Sequence, residues 1–108
     1  MVNIHETTSP IISIKLDGFN YFVWSQILEI HIIGRKKKGY IIERKIALVE
    51  DDPNYDEWEA KNDQVKSWLI NSMTNKLISH FVQFGMAKGV WDIVKRSYLD
   101  VFEFFSSI

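Results

Sequence analysis

The residues that could do chemistry are few and scattered. Three histidines are present, His5, His31 and His80, and no two share the i, i+4 spacing of a helical metal pair. His5 lies in a polar N-terminal stretch, His31 inside an apolar run, and His80 beside Phe81. There is no cysteine, which excludes a disulfide framework, a thiolate metal site and a cysteine nucleophile. The carboxylates Asp51, Asp52, Asp56, Glu57, Glu59 and Asp63 crowd one stretch, but without the D-x-D-x-D-G spacing of a calcium loop. They suit the acidic start of a helix and a solvated face. No P-loop, G-x-G-x-x-G or G-x-S-x-G occurs. The expectation is a non-enzymatic domain with no catalytic, metal or cofactor site and no small-molecule substrate.

One run is chemically distinctive. Arg35, Lys36, Lys37 and Lys38 are consecutive, with Arg44 and Lys45 shortly after, while residues 50–63 are strongly negative. Such a run could contact RNA phosphates, each neutralised phosphate releasing counterions. The simpler reading, a solvated loop at a helix C-terminus where cations complement the dipole, is favoured because short charge runs are usually solvated. The run could also meet the acidic stretch of a second copy. Trp24, Trp58, Trp68 and Trp91 could stack bases, but all four fall on helical apolar stripes, which favours core packing.

The elements that position these residues follow from periodicity. The chain has 108 residues, 46% of them hydrophobic and 14% aromatic, with net charge −1. That is one domain with a real core. Residues 1–10 read as a flexible arm, and 11–16 as a short extended segment ending at an Asp17-Gly18 turn. A first helix is expected from an Asn20 cap, with Val23, Trp24, Ile27, Leu28, Ile30, His31 and Ile33 as a wide, largely buried stripe. Gly34 would stop it in the left-handed conformation. Gly39 to Ile42 reads as one helical turn, and Glu43 to Asp52 as helix, strand or loop. A second long helix is expected from an Asn54–Glu57 capping box to about Met73, with a Glu57–Lys61 pair on its surface. Thr74 would cap a third helix burying Leu77, Ile78, Phe81 and Val82. A fourth runs from about Ala87 to Leu99, with Gly89 a mild cost unless close packing needs it. The expected fold is all-α, a small orthogonal array of four to five helices with a short extended N-terminal segment. The aromatic residues 101–108 either dock on the core or leave an adhesive end. Neither a secretory h-region nor a run of roughly 18 apolar residues is present. The cytosol, or the nucleus by diffusion, is the expected location, with no membrane partner.

Three blocks carry a resemblance to a known family. Lys15-Leu16-Asp17-Gly18-Phe19-Asn20-Tyr21-Phe22-Val23-Trp24, followed by Gly39-Tyr40-Ile41, resembles the opening of Gag polypeptides of plant Copia-type LTR retrotransposons. Tyr55-Asp56-Glu57-Trp58 through Asn62, with Val65-Lys66-Ser67-Trp68-Leu69-Ile70-Asn71-Ser72-Met73, is similar to a helix of the same polypeptides. So is Ala87-Lys88-Gly89-Val90-Trp91-Asp92-Ile93-Val94-Lys95-Arg96-Ser97-Tyr98. The blocks span about residues 12–100 in order. The resemblance implies a Gag capsid-like helical domain, N-terminal-like, whose motif core is Trp24, Tyr40, Trp58, Trp68, Leu69, Trp91 and Tyr98. It implies self-assembly into a particle enclosing element RNA, with copies of itself or other Gag chains as partners. It implies no catalytic residue. Met86 and Gly89 depart from the family's Thr and Glu, and residues 101–108 diverge, so a truncated or decayed copy, or one kept for a new use, is expected. The alternatives are an RNA-binding module acting through residues 35–45 and a regulator of intact Gag assembly.

Overall fold

Apolar residues three and four apart coil into helices that share one core. The computed structural model describes residues 13–42 and 48–106, with side chains through Leu99. Its helices are α1 (Tyr21–Gly34), α2 (Tyr55–Ile70), α3 (Asn75–Phe81) and α4 (Ala87–Ser106), with a 3₁₀ turn at Lys38–Tyr40. The all-α expectation therefore holds among the described residues, where the β structure is an isolated parallel bridge between Leu16 and Met73. α1 packs on both α2 and α4, and α2 on α4. Leu16, Trp24, Leu28, Ile32, Val65, Leu69, Phe81, Val90 and Val94 meet in the centre. Tyr40 and Ile41, at the 3₁₀ turn, close one side.

α1 differs from its expected burial. Tyr21, Trp24, Leu28 and Ile32 are buried, but Val23, Ile27, Ile30 and Ile33 are exposed and His31 is half-buried. At about 100° per residue, the exposed set lies on the side opposite the buried one. A core formed by α2 and α4 can cover only one side of a helix laid across it.

The end of α1 is also built differently. Gly34 is an ordinary last helical residue, and Lys36 takes the left-handed conformation instead, at φ 59°. The Lys36 N–H donates to Ile33 O (2.9 Å) and the Lys37 N–H to Ile32 O (3.1 Å). This is the paired hydrogen bonding of a Schellman cap, with lysine where glycine is usual.

The capping box expected at α2 does not form. Asn54 occupies the N-cap position without a side-chain cap bond. Asp52 Oδ1 accepts the Asn54 N–H (2.8 Å), and Glu57 accepts from Lys61 Nζ (2.6 Å), the expected i, i+4 pair. That pair holds the Glu57 carboxyl below and the Lys61 ammonium above their ordinary values, through a charge-assisted hydrogen bond. α2 stops at Ile70 because Asn71 and Ser72 turn the chain so that Met73 can bridge to Leu16. Thr74 stands at the N-cap of α3 with extended backbone and no side-chain cap bond. Of the face expected on α3, Phe81 is buried and Leu77 and Ile78 are half-buried, whereas Val82 falls beyond the helix and is exposed.

α4 continues past Leu99 to Ser106. No Gly or Pro lies between Ala87 and Ser106 except Gly89, so nothing local stops the helix. A Cβ built on Gly89 meets nothing within 4 Å. No close approach justifies that glycine, so its helix penalty is uncompensated. Gly89→Ala should raise the unfolding free energy by about 0.5–1 kcal/mol. Urea denaturation checks this, and an unchanged or lowered midpoint would contradict it.

Candidate interaction surfaces

The resembling blocks converge in space as a clasp. The Leu16 N–H donates to Ser72 O (2.8 Å) and the Thr74 N–H to Leu16 O (3.0 Å). Trp24 Nε1 donates to both Ser72 O and Ser72 Oγ, each at 3.0 Å. Ser72 Oγ in turn donates to Leu69 O (2.8 Å). The approach to α1 is tied as tightly. Asp17 Oδ1 accepts the Phe19 N–H (2.8 Å), and Gly18 adopts φ 99°, which glycine accepts without steric cost. Asn20 does not cap α1 with its side chain, contrary to expectation. Its Oδ1 instead accepts the Asp17 N–H (3.1 Å), and its Nδ2 donates to Lys15 O (2.8 Å).

Aromatic rings complete the clasp. Tyr21 stacks on Tyr98 of α4 at 6.2 Å, Trp24 meets Trp91 at 6.0 Å, and Phe81 meets Tyr98 at 6.4 Å. Burial pushes the Tyr21 and Tyr98 phenols above their ordinary range, with Asp17 adding to the rise at Tyr98. Trp24, Tyr40, Trp68 and Leu69 are buried, and Trp58, Trp91 and Tyr98 pack partly buried against them. The tryptophans are thus packing residues, not an exposed base-stacking platform.

The basic run does not form a free row of cations. Arg35 and Lys36 are exposed, Lys37 and Lys38 half-buried. The Arg35 guanidinium lies 5.9 Å from the centre of the Trp68 ring, and its Nη1 donates to His31 O (3.3 Å). Lys37 Nζ donates to Arg35 O (3.3 Å). Two of the four cations therefore fold back onto the C-terminus of α1, where they complement its dipole. Arg44 and Lys45 lie outside the described residues, as do His5 and the rest of the N-terminal arm. The acidic residues Glu50, Asp51, Asp56, Glu57, Glu59 and Asp63 are exposed around the start of α2.

His31 sits between these features. Its ring meets Trp68 edge-on at 5.2 Å, and its Nε2 is buried with no hydrogen-bond partner among the described residues. Trp58 Nε1 is in the same position. Burial, and secondarily the Arg35 charge, push the His31 pKa below its ordinary value. The unfolded chain then binds more protons than the folded one at mildly acid pH. The contribution of His31 is complete above about pH 6.5 and is lost as pH falls through its depressed folded value. The melting temperature should fall between roughly pH 7 and 5, and His31→Phe should flatten that limb. Thermal melts at several pH values check this; identical slopes for parent and variant would contradict it.

Two features of the surface and core were not legible as sites. Asn62 of α2 is buried, and its Oδ1 accepts the N–H of Ala87, the first residue of α4, at 3.0 Å. The outer face of α1 is apolar and open, with Phe19 just ahead of it 98% exposed and Ile30 71% exposed. The signal for that face was present, since the apolar residues of α1 are too many for one side.

Among the described residues, no group of three or more His, Cys, Asp or Glu could hold a metal ion. No helix among them is long and apolar enough to cross a membrane. In comparisons with known proteins, no family model, no curated protein and no solved structure matches the chain.

Proposed function

We propose that the chain is a non-enzymatic association domain of the Copia Gag kind, which binds further copies of itself. The observation that carries this reading is the exposed apolar face of α1, with Val23, Ile27, Ile30 and Ile33 opposite its buried stripe. A helix apolar on all sides is ordinarily covered on all sides. A contiguous apolar patch of more than a few hundred Å² is unusual on a domain that works alone. The three resembling blocks support the same reading, since self-assembly is the role the resemblance implies. The same face would engage other Gag chains, which is how this domain would regulate their assembly. Such a domain works in the cytosol and reaches the nucleus by diffusion.

The RNA-binding alternative has less support, because Arg35 and Lys37 are engaged with the end of α1 itself. Light scattering on the 108-residue chain, from roughly 10 μM to 1 mM, tests the proposal. The weight-average mass should rise with concentration. A constant monomer mass across that range would overturn self-association. RNA binding with a steep salt dependence, abolished by Lys36→Glu with Lys37→Glu, would move the reading to a nucleic-acid module.

A further inference from the structure

We infer that two copies of the chain pair α1 against α1, antiparallel, about a two-fold axis at Gln26. The inference rests on the self-association reading and specifies its contact. Phe19, Val23, Gln26, Ile27, Ile30 and Ile33 succeed one another at near-helical spacing, and all are exposed. Their side is opposite the one that meets α2 and α4, so a second body can cover it without disturbing the fold.

The stripe is complementary to itself. In an antiparallel pair centred on Gln26, Phe19 of one copy lies opposite Ile33 of the other, and Val23 falls within one residue of Ile30. Gln26, the polar position of the stripe, falls on the axis. There each carboxamide can donate one N–H to the oxygen of the other, so each covered amide has a partner. A polar residue at such a seam also fixes the register.

Charge selects the antiparallel arrangement over the parallel one. Exposed Asp17 stands just before α1, and exposed Arg35 and Lys36 stand just after it. Lys15 does not neutralise Asp17, since its Nζ donates to Asn71 O at the end of α2 (2.5 Å). Antiparallel pairing places Asp17 of each copy opposite the basic end of the other, twice by symmetry. It also sets the two helix dipoles head to tail. Parallel pairing would oppose Asp17 to Asp17 and the basic ends to each other. Two such faces bury on the order of 1,000 Å² together, the low end for a specific interface. The dimer is therefore concentration-dependent and gains strength where many copies are held together.

The absence of native cysteine makes the geometry testable by cross-linking. Under mild oxidation, Gln26→Cys should cross-link to its own copy, because the axis passes beside it. Ile33→Cys alone should not, since the two copies of that residue stand roughly 21 Å apart along the helices, beyond the ~7 Å limit for a disulfide. A mixture of Phe19→Cys and Ile33→Cys chains should give the heterodimer. Separately, Ile30→Glu should weaken association on the order of a hundredfold. Its melting temperature should stay within roughly 4 °C of the parent, as befits an exposed position. Ile33→Cys cross-linking to itself as readily as Gln26→Cys would overturn the antiparallel pair. Association of the parent that neither Ile30→Glu weakens nor Gln26→Cys captures would overturn the α1 contact and leave self-association standing. A parent that stays monomeric would overturn both.

Discussion

Trp24→Ala should destabilise the domain by about 3–5 kcal/mol and lower its melting temperature by roughly 12 °C or more. Trp24 is fully buried, so the substitution deletes an indole from the centre of the core and leaves a cavity. It also removes the donor that holds Ser72 O and Ser72 Oγ. The Ser72 carbonyl keeps its bond from Leu16, so that loss is partial. Trp24→Phe separates the two contributions, since it keeps a ring against Trp91 but has no N–H. It should be destabilising by about 1–2 kcal/mol. Urea denaturation of the three proteins measures both steps. A loss below about 1 kcal/mol for Trp24→Ala would mean that the clasp of the three blocks does not organise the fold.

Helix existence was legible because it depends on spacing along one chain. Trp24 with Leu28, Val65 with Leu69, and Val90 with Val94 recur at the separation that puts them on one side of a helix, and each pair is buried. What spacing cannot tell is how many sides of a helix the fold will cover. In α1 both sides carry apolar residues, so Val23, Ile27, Ile30 and Ile33 read as core until the positions of α2 and α4 are known. Caps are weakly encoded for a related reason. Asn20, Asn54 and Thr74 stand at the N-cap positions, but the Asn20 side chain bonds back to the Lys15–Asp17 loop and neither Asn54 nor Thr74 makes a side-chain cap bond. Side-chain partners near a helix start depend on how the preceding chain folds back, which residue type does not encode. The end of α1 shows the reverse. Gly34 is the residue type that favours the left-handed turn, yet Lys36 adopts it, because the hydrogen-bonded turn that leads to buried Tyr40 and Ile41 starts two residues later.

The candidate sites divide along the same line. The resembling blocks contribute mostly core residues, and those were identifiable from pattern. The basic run was identifiable as charge, but its folding back through Arg35 and Lys37 onto α1 was not. The outer face of α1 lies within the first block, between the buried residues Tyr21, Trp24, Leu28 and Ile32. One helix thus holds the fold together on one side and offers an apolar surface on the other.

Asn62→Leu should destabilise the domain by about 1–3 kcal/mol although leucine keeps the branched side-chain skeleton and adds apolar surface. The first N–H groups of a helix have no partner within it, and α4 begins without Ser, Thr, Asn or Asp at the preceding position, which is Met86. Asn62 supplies the acceptor from α2, and it does so where Ala87 is fully buried. Water cannot replace it there, so the Leu variant leaves a buried donor unsatisfied. The orphaned group sits where α2 and α4 meet, so the start of α4 should fray first. Hydrogen exchange at Ala87 should accelerate more in this variant than exchange at Val94, deeper in the same helix. Asn62→Asp keeps the acceptor and sets a negative charge at the positive end of α4, opposed by neighbouring Asp63. It should recover part of the lost stability, because the acceptor remains while burial of the carboxyl and the neighbouring Asp63 work against it. Equal destabilisation by the Leu and Asp variants would show that Asn62 acts through packing and not by accepting the Ala87 N–H.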